Sequence, residues 1–488
     1  LEFRRVLFRS IDCFANTRFG HQSKIQNPKS KMILLILGII LPFLFVTIIP
    51  NYFFDDVGAF HVWANCLQQN PQDIYPLCKP DYPTTGMLFS GGVIYLIKAL
   101  INTADRGRVD TIFRYYLAVF DALNFLLLIW LGRLLQFRFP VPIALAILAL
   151  PSTWVGGAVW AQIDGISLFF CLLATLGFFQ FWQSLTKNSN SKSSYYKWYK
   201  LQFQNWHFFW LALATTSLAI YWLSKQLTLF SLPFFSVIAL ITINKLWQYF
   251  HRKGLVIAGL FILLFVALFS FLDSLFIMPE GSNNSSYWFG WHRGFKPYIS
   301  GNGFNIWMFL GWPMSASPYP PFAKLNLGFW QTEISPYATG IVLYAIFIAL
   351  LILTGFKAVR RLLKANLENR EKANCYLMAL ICLFQGLCYL GFNVLLSGTN
   401  ERYLYLGYPF LLVGVIWFYT QNILFSWRSI AFCFAAACAY GLFVFSILCP
   451  LPDLLFAFKR HEFMASIHLF LLLLIGDGWL GICRRTRV

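Results

Sequence analysis

Charged residues are scarce in this chain of 488 residues, and acidic ones are scarcer than basic ones. Only 12% of the residues are charged, with 19 Asp and Glu against 38 Lys and Arg. Hydrophobic residues make up 58% of the chain, and the mean hydropathy is +0.62. This composition excludes a soluble globular enzyme, because there is too little polar surface to cover so much apolar side chain.

Three sequence signals of common functional sites are missing as well. None of the eleven cysteines has a His partner at the spacing of a metal site, so a structural zinc is not expected. No glycine-rich phosphate loop is found, which disfavours an enzyme that binds a nucleotide sugar on the cytoplasmic side. No internal repeat is found either, which disfavours transporter folds built from related halves.

Apolar stretches of about twenty residues recur along the chain, and a bilayer core needs roughly 20 apolar residues per helix. Backbone groups in lipid must be satisfied within the helix, so each stretch predicts a spanning α-helix. The sequence therefore predicts an all-α fold, a polytopic bundle of about twelve spans. The expected spans are 33–50, 112–135, 140–158, 162–184, 205–222, 227–246, 254–275, 337–356, 374–396, 404–420, 429–449 and 463–482.

The basic residues are distributed unevenly between the two sides of this topology. Most of them lie in the two termini and in one set of connections, which includes 185–203 and 357–373, and few acids accompany them. By the positive-inside rule, these segments and both termini are cytoplasmic. The net charge of +19 thus reports orientation in a lipid bilayer, and a nucleic-acid partner is not expected.

The domain organisation follows from this topology. A basic N-terminus covers 1–32, one membrane domain covers 33–482, and a basic tail covers 483–488. Residues 1–10 lack an initiator Met and do not resemble a natural start, so we expect a remnant of expression or translation. The expected location is the bacterial inner membrane with the active site facing outward, or the endoplasmic reticulum membrane in a eukaryote.

Two connections on the external side are long, and long connections tend to carry function. The first covers about 51–111 and includes 90–100, which is too short to span and is expected to lie at the interface. The second covers about 276–336 and is rich in aromatic residues. Cys66 and Cys78 lie in the first connection, where a disulfide and two free thiols are both consistent with the sequence.

Polar residues from five separate segments fall on the external side, and each group has a plain alternative role. A Lys or Arg at a helix end can simply reach the interface, and an acid can simply end a span. Convergence of all five groups indicates a functional site more specifically than any single group does. The groups are Asp55 with Asp56, Asp81 with Tyr82, Gln162 with Asp164, Lys225, and Glu401 with Arg402 and Tyr403.

Carboxylates and cations at one membrane surface suit transfer chemistry on a lipid phosphate. A carboxylate can deprotonate an acceptor hydroxyl, while Arg binds a phosphate bidentately and Lys supplies a point charge. The neighbouring Asp55 and Asp56 also offer the oxygen ligands that Mg²⁺ or Mn²⁺ prefers. Two carboxylates do not make a metal obligatory, so no cofactor is required and a divalent metal stays an alternative.

The same residues carry a resemblance to a known family. Asp56-Val57-Gly58-Ala59-Phe60 and Asp81-Tyr82-Pro83 resemble the first loop of GT-C membrane glycosyltransferases, and more narrowly of bacterial relatives of the second GPI mannosyltransferase. Further segments resemble family motifs in the family's order. They are Trp160-Ala161-Gln162-Ile163-Asp164 for Trp-Gly-Gln-x-Asp, Lys225-Gln226 with Pro233 for Lys-(Pro)-Gln and Pro, Phe304-Asn305-Ile306-Trp307 for Asn-x-Phe-Asn-x-Trp, and Glu401-Arg402-Tyr403-Leu404 for His-Glu-Arg-Tyr-Leu.

The resemblance implies an inverting transferase that moves a hexose, with mannose as the candidate, from a polyprenyl-phosphate sugar to a glycan, lipid or protein acceptor. By motif register it implies that Asp56 is the catalytic base and that Asp55 tunes it or assists a metal. It adds Asn305 and Trp307 to the substrate-binding residues. This chain departs from the family at Ala161, where the family has Gly, and at the position before Glu401, where the family has His.

Two other function classes stay open at this point. A transporter or flippase of about twelve spans would place charged residues in mid-bilayer, and Asp121, His468 and Asp477 favour it. A polymerase or ligase of lipid-linked glycans would share the lipid-phosphate site. Transfer of a labelled sugar without an ion gradient would favour the enzyme, and gradient-dependent uptake would favour the transporter.

Overall fold

Long apolar segments dominate the fold, because each one can satisfy its backbone only by forming a helix in lipid. The structure is a computed structural model of the 488-residue chain. It describes residues 28–50, 54–103, 105–189, 197–280, 284–289, 297–301, 303–326, 331–365, 369–448 and 460–486.

The described residues form helices α1 to α17 and four short strands. The helices are α1 Pro28–Ile48, α2 Phe54–Gln69, α3 Ile74–Cys78, α4 Thr84–Ile101, α5 Arg106–Leu134, α6 Pro140–Leu148, α7 Pro151–Val159, α8 Asp164–Ser189, α9 Lys197–Ser224, α10 Leu232–Phe250, α11 Arg252–Asp273, α12 Ile306–Phe309, α13 Pro336–Leu363, α14 Arg370–Leu395, α15 Tyr408–Thr420, α16 Trp427–Leu448 and α17 His461–Arg485. Turns of 3₁₀ helix cover Gln226–Ser231 and Glu401–Leu404. The strands are β1 Ser300–Gly301, β2 Ala323–Asn326, β3 Gln331–Ile334 and β4 Thr399–Asn400; β1 pairs with β4 in parallel, and β2 with β3 in antiparallel register.

The prediction of an all-α polytopic bundle is confirmed. Every expected span overlaps one helix or one bent pair of helices. By length and composition, 10 helices in the described part could cross a membrane, or up to 11 with the bent pair. Two expected spans, α9 and the shorter α15, are not among these 10, and one of the 10, α4, was expected to lie at the interface.

The expected span 140–158 is not one straight helix. The axes of α6 and α7 differ in direction by 64°. Leu150, directly before Pro151, is extended with ψ of 135°, as expected for a residue that precedes proline. Proline also cannot continue the hydrogen-bond ladder of α6. The bend gives α7 its own direction towards the turn at 160–163.

The two long connections pack against each other at one end of the bundle, called the site end below. The Ile277 backbone N–H donates to the Gln72 carbonyl oxygen, and the Thr84 hydroxyl donates to Ser286. The opposite end carries most of the described basic residues, as the topology predicts. There Lys245 donates to Asn374, and Arg361 donates to the backbone of Thr486.

Helix α4 has both of its ends at the site end, which supports its assignment to the interface. At its start, the Thr85 hydroxyl donates to the Ile220 carbonyl near the end of α9. At the C-terminal end of α4, the chain continues directly into α5. Arg114 of α5 donates to the Ile49 carbonyl, directly after α1. Residues 90–100 therefore lie in the first connection, as expected, but they belong to a longer helix. This helix contains a π-helical turn at Leu88–Gly92.

A disulfide bond joins Cys66 in α2 to Cys78 at the end of α3, with the Cα atoms 6.4 Å apart. Of the two alternatives open from the sequence, the structure therefore has the disulfide, which closes the hairpin formed by α2 and α3. This separation lies within the usual range for disulfides. The other described cysteines are free thiols and are mostly buried among the helices.

Helix α14 forms the centre of the bundle, and α11 lies on its outside. The apolar window of α14 is entirely buried, whereas only 6% of the corresponding window of α11 is buried. A helix that is apolar all round and buried belongs in a core, while an exposed apolar helix in a polytopic protein faces lipid. The polar site therefore lies at the end of a packed apolar bundle.

Candidate functional site

Four of the predicted residues meet in one buried cluster at the site end. The Lys225 Nζ donates to Asp164 Oδ1 at 2.6 Å and lies 5.4 Å above the centre of the Tyr82 ring. The Tyr82 hydroxyl donates to Gln162 Oε1 at 3.1 Å. We call Tyr82, Gln162, Asp164 and Lys225 the polar cluster. Its members come from three segments that are distant in sequence, as convergence of the predicted groups required.

Burial makes the electrostatics of the polar cluster strong. Lys225 is 2% exposed and Asp164 is 3% exposed. Charges this far from water need partners, because desolvation of an unpaired ion is expensive. The ion pair leaves the cluster without net charge from these two residues.

Two polar atoms of the cluster still lack a hydrogen-bond partner among the described residues. They are Gln162 Nε2, a donor, and Asp164 Oδ2, an acceptor, and Gln226 Oε1 next to Lys225 is a third such atom. Buried polar atoms without partners are uncommon in native proteins and call for an explanation. Donors and acceptors side by side are the groups that bind hydroxyls, which both donate and accept.

The aromatic residues of α2 and the first connection hold Tyr82 in place. The rings of Phe60 and Trp63 lie 5.9 Å and 5.4 Å from the Tyr82 ring. The Tyr75 hydroxyl donates to the Tyr82 carbonyl at 2.8 Å. Burial raises the pKa of Tyr75 above its ordinary value, so this phenol stays neutral and keeps its donor proton. Asp81, which precedes Tyr82, is half-buried.

The turn that carries Gln162 depends on a left-handed backbone at Ala161, whose φ is +57°. The Gln162 N–H donates to the Gly157 carbonyl and closes the turn. Glycine adopts a positive φ without strain, whereas alanine does so at a cost. Position 161, where the motif that this segment resembles has Gly, is thus the residue of the turn at which glycine has a physical advantage.

Arg402 is the second cation at the site end. Its guanidinium carbon lies 5.5 Å above the Trp160 ring, two residues before Gln162. Arg402 is half-buried, in contrast to the nearly sealed Lys225. An aromatic face partly stabilises the charge of a guanidinium, whose planar group also suits a phosphate.

The other predicted residues of the second connection hold the backbone beside Arg402. Asn305 caps α12 by accepting from the Met308 N–H, and its amide donates to Ile299 and Thr399. The Trp307 indole donates to the Leu395 carbonyl. Strand β1 is thereby fixed against β4, which leads directly into the turn with Arg402.

Tyr403 lies in a small apolar cluster, apart from the polar cluster. Its ring stacks on Phe392 with 5.6 Å between the centroids, and Phe230 and Leu396 complete the contact. The side chains of Asp55, Asp56 and Glu401 lie outside the described residues. The backbone of the two aspartates belongs to the first turn of α2.

No group of three or more His, Cys, Asp or Glu side chains in the described ranges could hold a metal ion. This finding does not bear on Asp55 and Asp56, whose side chains are not described. A site for Mg²⁺ or Mn²⁺ on these two carboxylates therefore stays a prediction.

Sequence reasoning missed the polar residues that hold the site segments from within the bundle. Asp121 was noted only as evidence for a transporter, yet it accepts hydrogen bonds from the Ala158 N–H in the last turn of α7 and from the hydroxyl of Tyr405. Arg114 donates to the Ala158 carbonyl. Asn393 of α14 donates to the Asn400 carbonyl and accepts from the second connection. A lone polar residue inside a predicted span was the only available signal for each of them.

Known proteins give little further guidance. No protein-family model matches the chain, and no curated protein matches it. Among solved structures, the chain is similar to the crystal structure of ArnT from Cupriavidus metallidurans bound to undecaprenyl phosphate. The two are 14% identical, the match covers 94% of this chain and 78% of that chain, and the TM-score is 0.42. A TM-score this low does not establish a shared fold.

Proposed function

We propose that this protein is an inverting membrane glycosyltransferase that transfers a hexose, with mannose as the candidate, from a polyprenyl-phosphate sugar to an extracytoplasmic acceptor. The observation that carries the proposal is the meeting of Tyr82, Gln162, Asp164 and Lys225 in one buried cluster, with Arg402 beside it. These residues lie in the motifs that resemble the GT-C family, and they lie opposite the end of the bundle that carries most of the described basic residues.

The reaction needs a base for the acceptor hydroxyl, and the helical register of α2 favours Asp56. Position 56 shares a helix face with Phe60 and Trp63, four and seven residues later. Both of these residues are buried and their rings lie against Tyr82. Position 55 instead shares a face with Val62, which is 51% exposed. The register therefore supports Asp56 as the base next to the polar cluster.

In the proposed reaction, the Asp56 carboxylate takes the proton of the acceptor hydroxyl as its oxygen attacks the anomeric carbon. The bond between that carbon and the phosphate oxygen breaks, and its electron pair leaves with the polyprenyl phosphate. The phosphate gains negative charge in this step. A cation that contacts the phosphate of the bound donor keeps this favourable contact as the charge develops.

Arg402 is the cation best placed to contact the phosphate first. It is half-buried, and guanidinium groups bind phosphate bidentately. The charge of Lys225 is neutralised by Asp164 at 2.6 Å. Lys225 can serve the phosphate only if Asp164 is released to a substrate hydroxyl, so we propose that the pair exchanges partners as the donor binds.

The test is a transfer assay with the purified full-length chain in liposomes. Polyprenyl-phosphate hexose, labelled in the sugar, is supplied with a lipid extract as acceptor and no ion gradient. We expect label to move to the acceptor, and we expect no transfer from nucleotide sugars. The Lys324→Met variant is a matched control, because this exposed cation lies in the β2–β3 hairpin.

Three results would contradict the proposal. Transfer from a nucleotide sugar would move the donor site away from the lipid phosphate. Release of label on the far side of the membrane only when a gradient is applied would indicate a transporter. Products that gain a whole glycan chain in one step would indicate a ligase instead of a hexosyltransferase.

A further inference from the structure

One buried carboxylate within the bundle takes no part in the proposed reaction. Asp121 lies in the middle of α5 and is 1% exposed. Both of its oxygens accept hydrogen bonds: Oδ2 from the Ala158 N–H at 3.1 Å and Oδ1 from the Tyr405 hydroxyl at 3.2 Å. Asp121 therefore joins two segments that are far from it and from each other in the sequence.

The first segment, residues 155–165, wraps closely around this carboxylate. A Cβ added to Gly157 or to Gly165 would lie 2.7 Å from an Asp121 oxygen, which is too close for any real contact. One turn further along α5, Asn124 donates to the Gly165 carbonyl at 2.8 Å. Glycine is thus required on both sides of Asp121, and the same segment carries Gln162 and Asp164.

The second segment carries Arg402. The Tyr405 N–H donates to the Arg402 carbonyl, which closes the short turn between them. The Arg402 guanidinium rests on Trp160, a residue of the first segment. The contact between Arg402 and Trp160 therefore bridges two segments that are both hydrogen-bonded to Asp121, the first through its backbone and the second through the Tyr405 hydroxyl.

We propose that Asp121 is a positioning residue that sets the distance between Arg402 and the Gln162–Asp164 turn, and that the Tyr405 hydroxyl transmits its effect to Arg402. This inference rests on the proposed function, because it assigns the lipid phosphate to Arg402 and the sugar to the turn. Donor binding then requires both segments to be held at one spacing.

The expected effect is on the donor and not on the acceptor. Tyr405→Phe removes one hydroxyl and one hydrogen bond and leaves the ring in place. We expect it to raise the KM for the polyprenyl-phosphate donor about tenfold, with the KM for the acceptor and kcat at saturating donor within about twofold of wild type.

Tyr408→Phe is the matched control. Tyr408 is also a buried tyrosine, three residues further on, but its hydroxyl bonds to His468 at the other side of the segment. We expect this variant to keep the donor KM of the wild type. A loss of similar size in both variants would show a general packing effect and overturn the proposal.

A second measurement does not depend on transfer. Hydrogen–deuterium exchange of the full chain in micelles reports the anchoring of each segment directly. We expect Asp121→Leu, whose side chain can accept neither hydrogen bond, to speed exchange in both 155–165 and 399–408. Tyr405→Phe should speed exchange in 399–408 alone, and Tyr408→Phe should leave 155–165 unchanged.

The outcomes separate this inference from the proposed function. Absence of transfer by the wild type would refute the proposed function, while the exchange experiment would still decide whether Asp121 anchors both segments. Unchanged exchange in Asp121→Leu would overturn the inference. Faster exchange together with an unchanged donor KM in Tyr405→Phe would also overturn it, since Asp121 would then be structural only.

Discussion

The ion pair between Lys225 and Asp164 gives the most quantitative prediction. The two charged atoms are 2.6 Å apart, and the residues are 2% and 3% exposed. Lys225→Met leaves the Asp164 carboxylate buried, and its Oδ2 already has no partner among the described residues. Breaking a buried pair in this way costs roughly 3–5 kcal/mol. We therefore expect Lys225→Met to lose about this much free energy of unfolding.

The double variant separates burial of charge from loss of packing. Lys225→Met with Asp164→Leu replaces both ions by apolar side chains of similar size, which is often neutral or even stabilising. We expect it to recover most of the loss of the single variant. Lys324→Met is the control for an exposed ion pair, 3.2 Å from Glu333 Oε1, and should cost at most about 1 kcal/mol.

The measurement is equilibrium unfolding in mixed micelles of a mild detergent and dodecyl sulfate. Near-equal losses for Lys225→Met and Lys324→Met would refute the argument that the buried pair is ionised. A double variant as unstable as the single one would show that packing, and not charge, accounts for the loss. The double variant should fold but transfer no hexose, which distinguishes its structural role from its proposed role in binding.

Three further predictions concern single positions. Arg402→Ala should raise the donor KM about ten- to a hundredfold, because a hydrogen bond to a charged group contributes roughly 1.5–3 kcal/mol. Arg402→Lys should recover part of this loss. Equal donor KM values in the wild type and both variants would contradict a phosphate role. Ala161→Gly should stabilise the folded state by up to about 1 kcal/mol, because φ is +57° there, and a destabilised variant would contradict this. Gly165→Ala should cost about 1–3 kcal/mol through its contact with Asp121. Its control Gly259→Ala, where no described atom lies within 4 Å, should be neutral or slightly stabilising.

The helices were predictable because lipid leaves the backbone no alternative. Each apolar run had to become a helix, and the charge distribution assigned the ends without any knowledge of packing. Pro151 was a local signal for the bend between α6 and α7, but a hydropathy pattern alone does not report it. The boundary of α15 was displaced from the expected 404 to Tyr408 because the preceding residues form a 3₁₀ turn.

The candidate site was predictable as a set of residues but not as an arrangement. Asp164 and Lys225 were both expected at the external side, yet their pairing joins positions 61 apart in sequence. The bond from Tyr405 to Asp121 spans 284 positions. Such contacts depend on how the faces of the helices meet, and a pattern along one helix does not determine which neighbour its polar face will contact.

The roles of Asn305 and Trp307 illustrate the same limit. A motif indicates that the residue types recur together, but not whether they contact substrate or backbone. In the structure their side chains bond to the backbone of neighbouring segments and support the turn that carries Arg402. Their assignment to substrate binding stays a prediction.

The most direct measurement of the central claim compares Asp56→Asn with Asp55→Asn in the liposome transfer assay. General base catalysis is typically worth about 10²–10⁴-fold, so Asp56→Asn should lower single-turnover transfer by at least about 100-fold while donor binding persists. Asp55→Asn should have a milder effect, because position 55 lies on the other face of α2. Near-normal transfer by Asp56→Asn, with or without loss in Asp55→Asn, would contradict the assignment of Asp56 as the base of the proposed transfer.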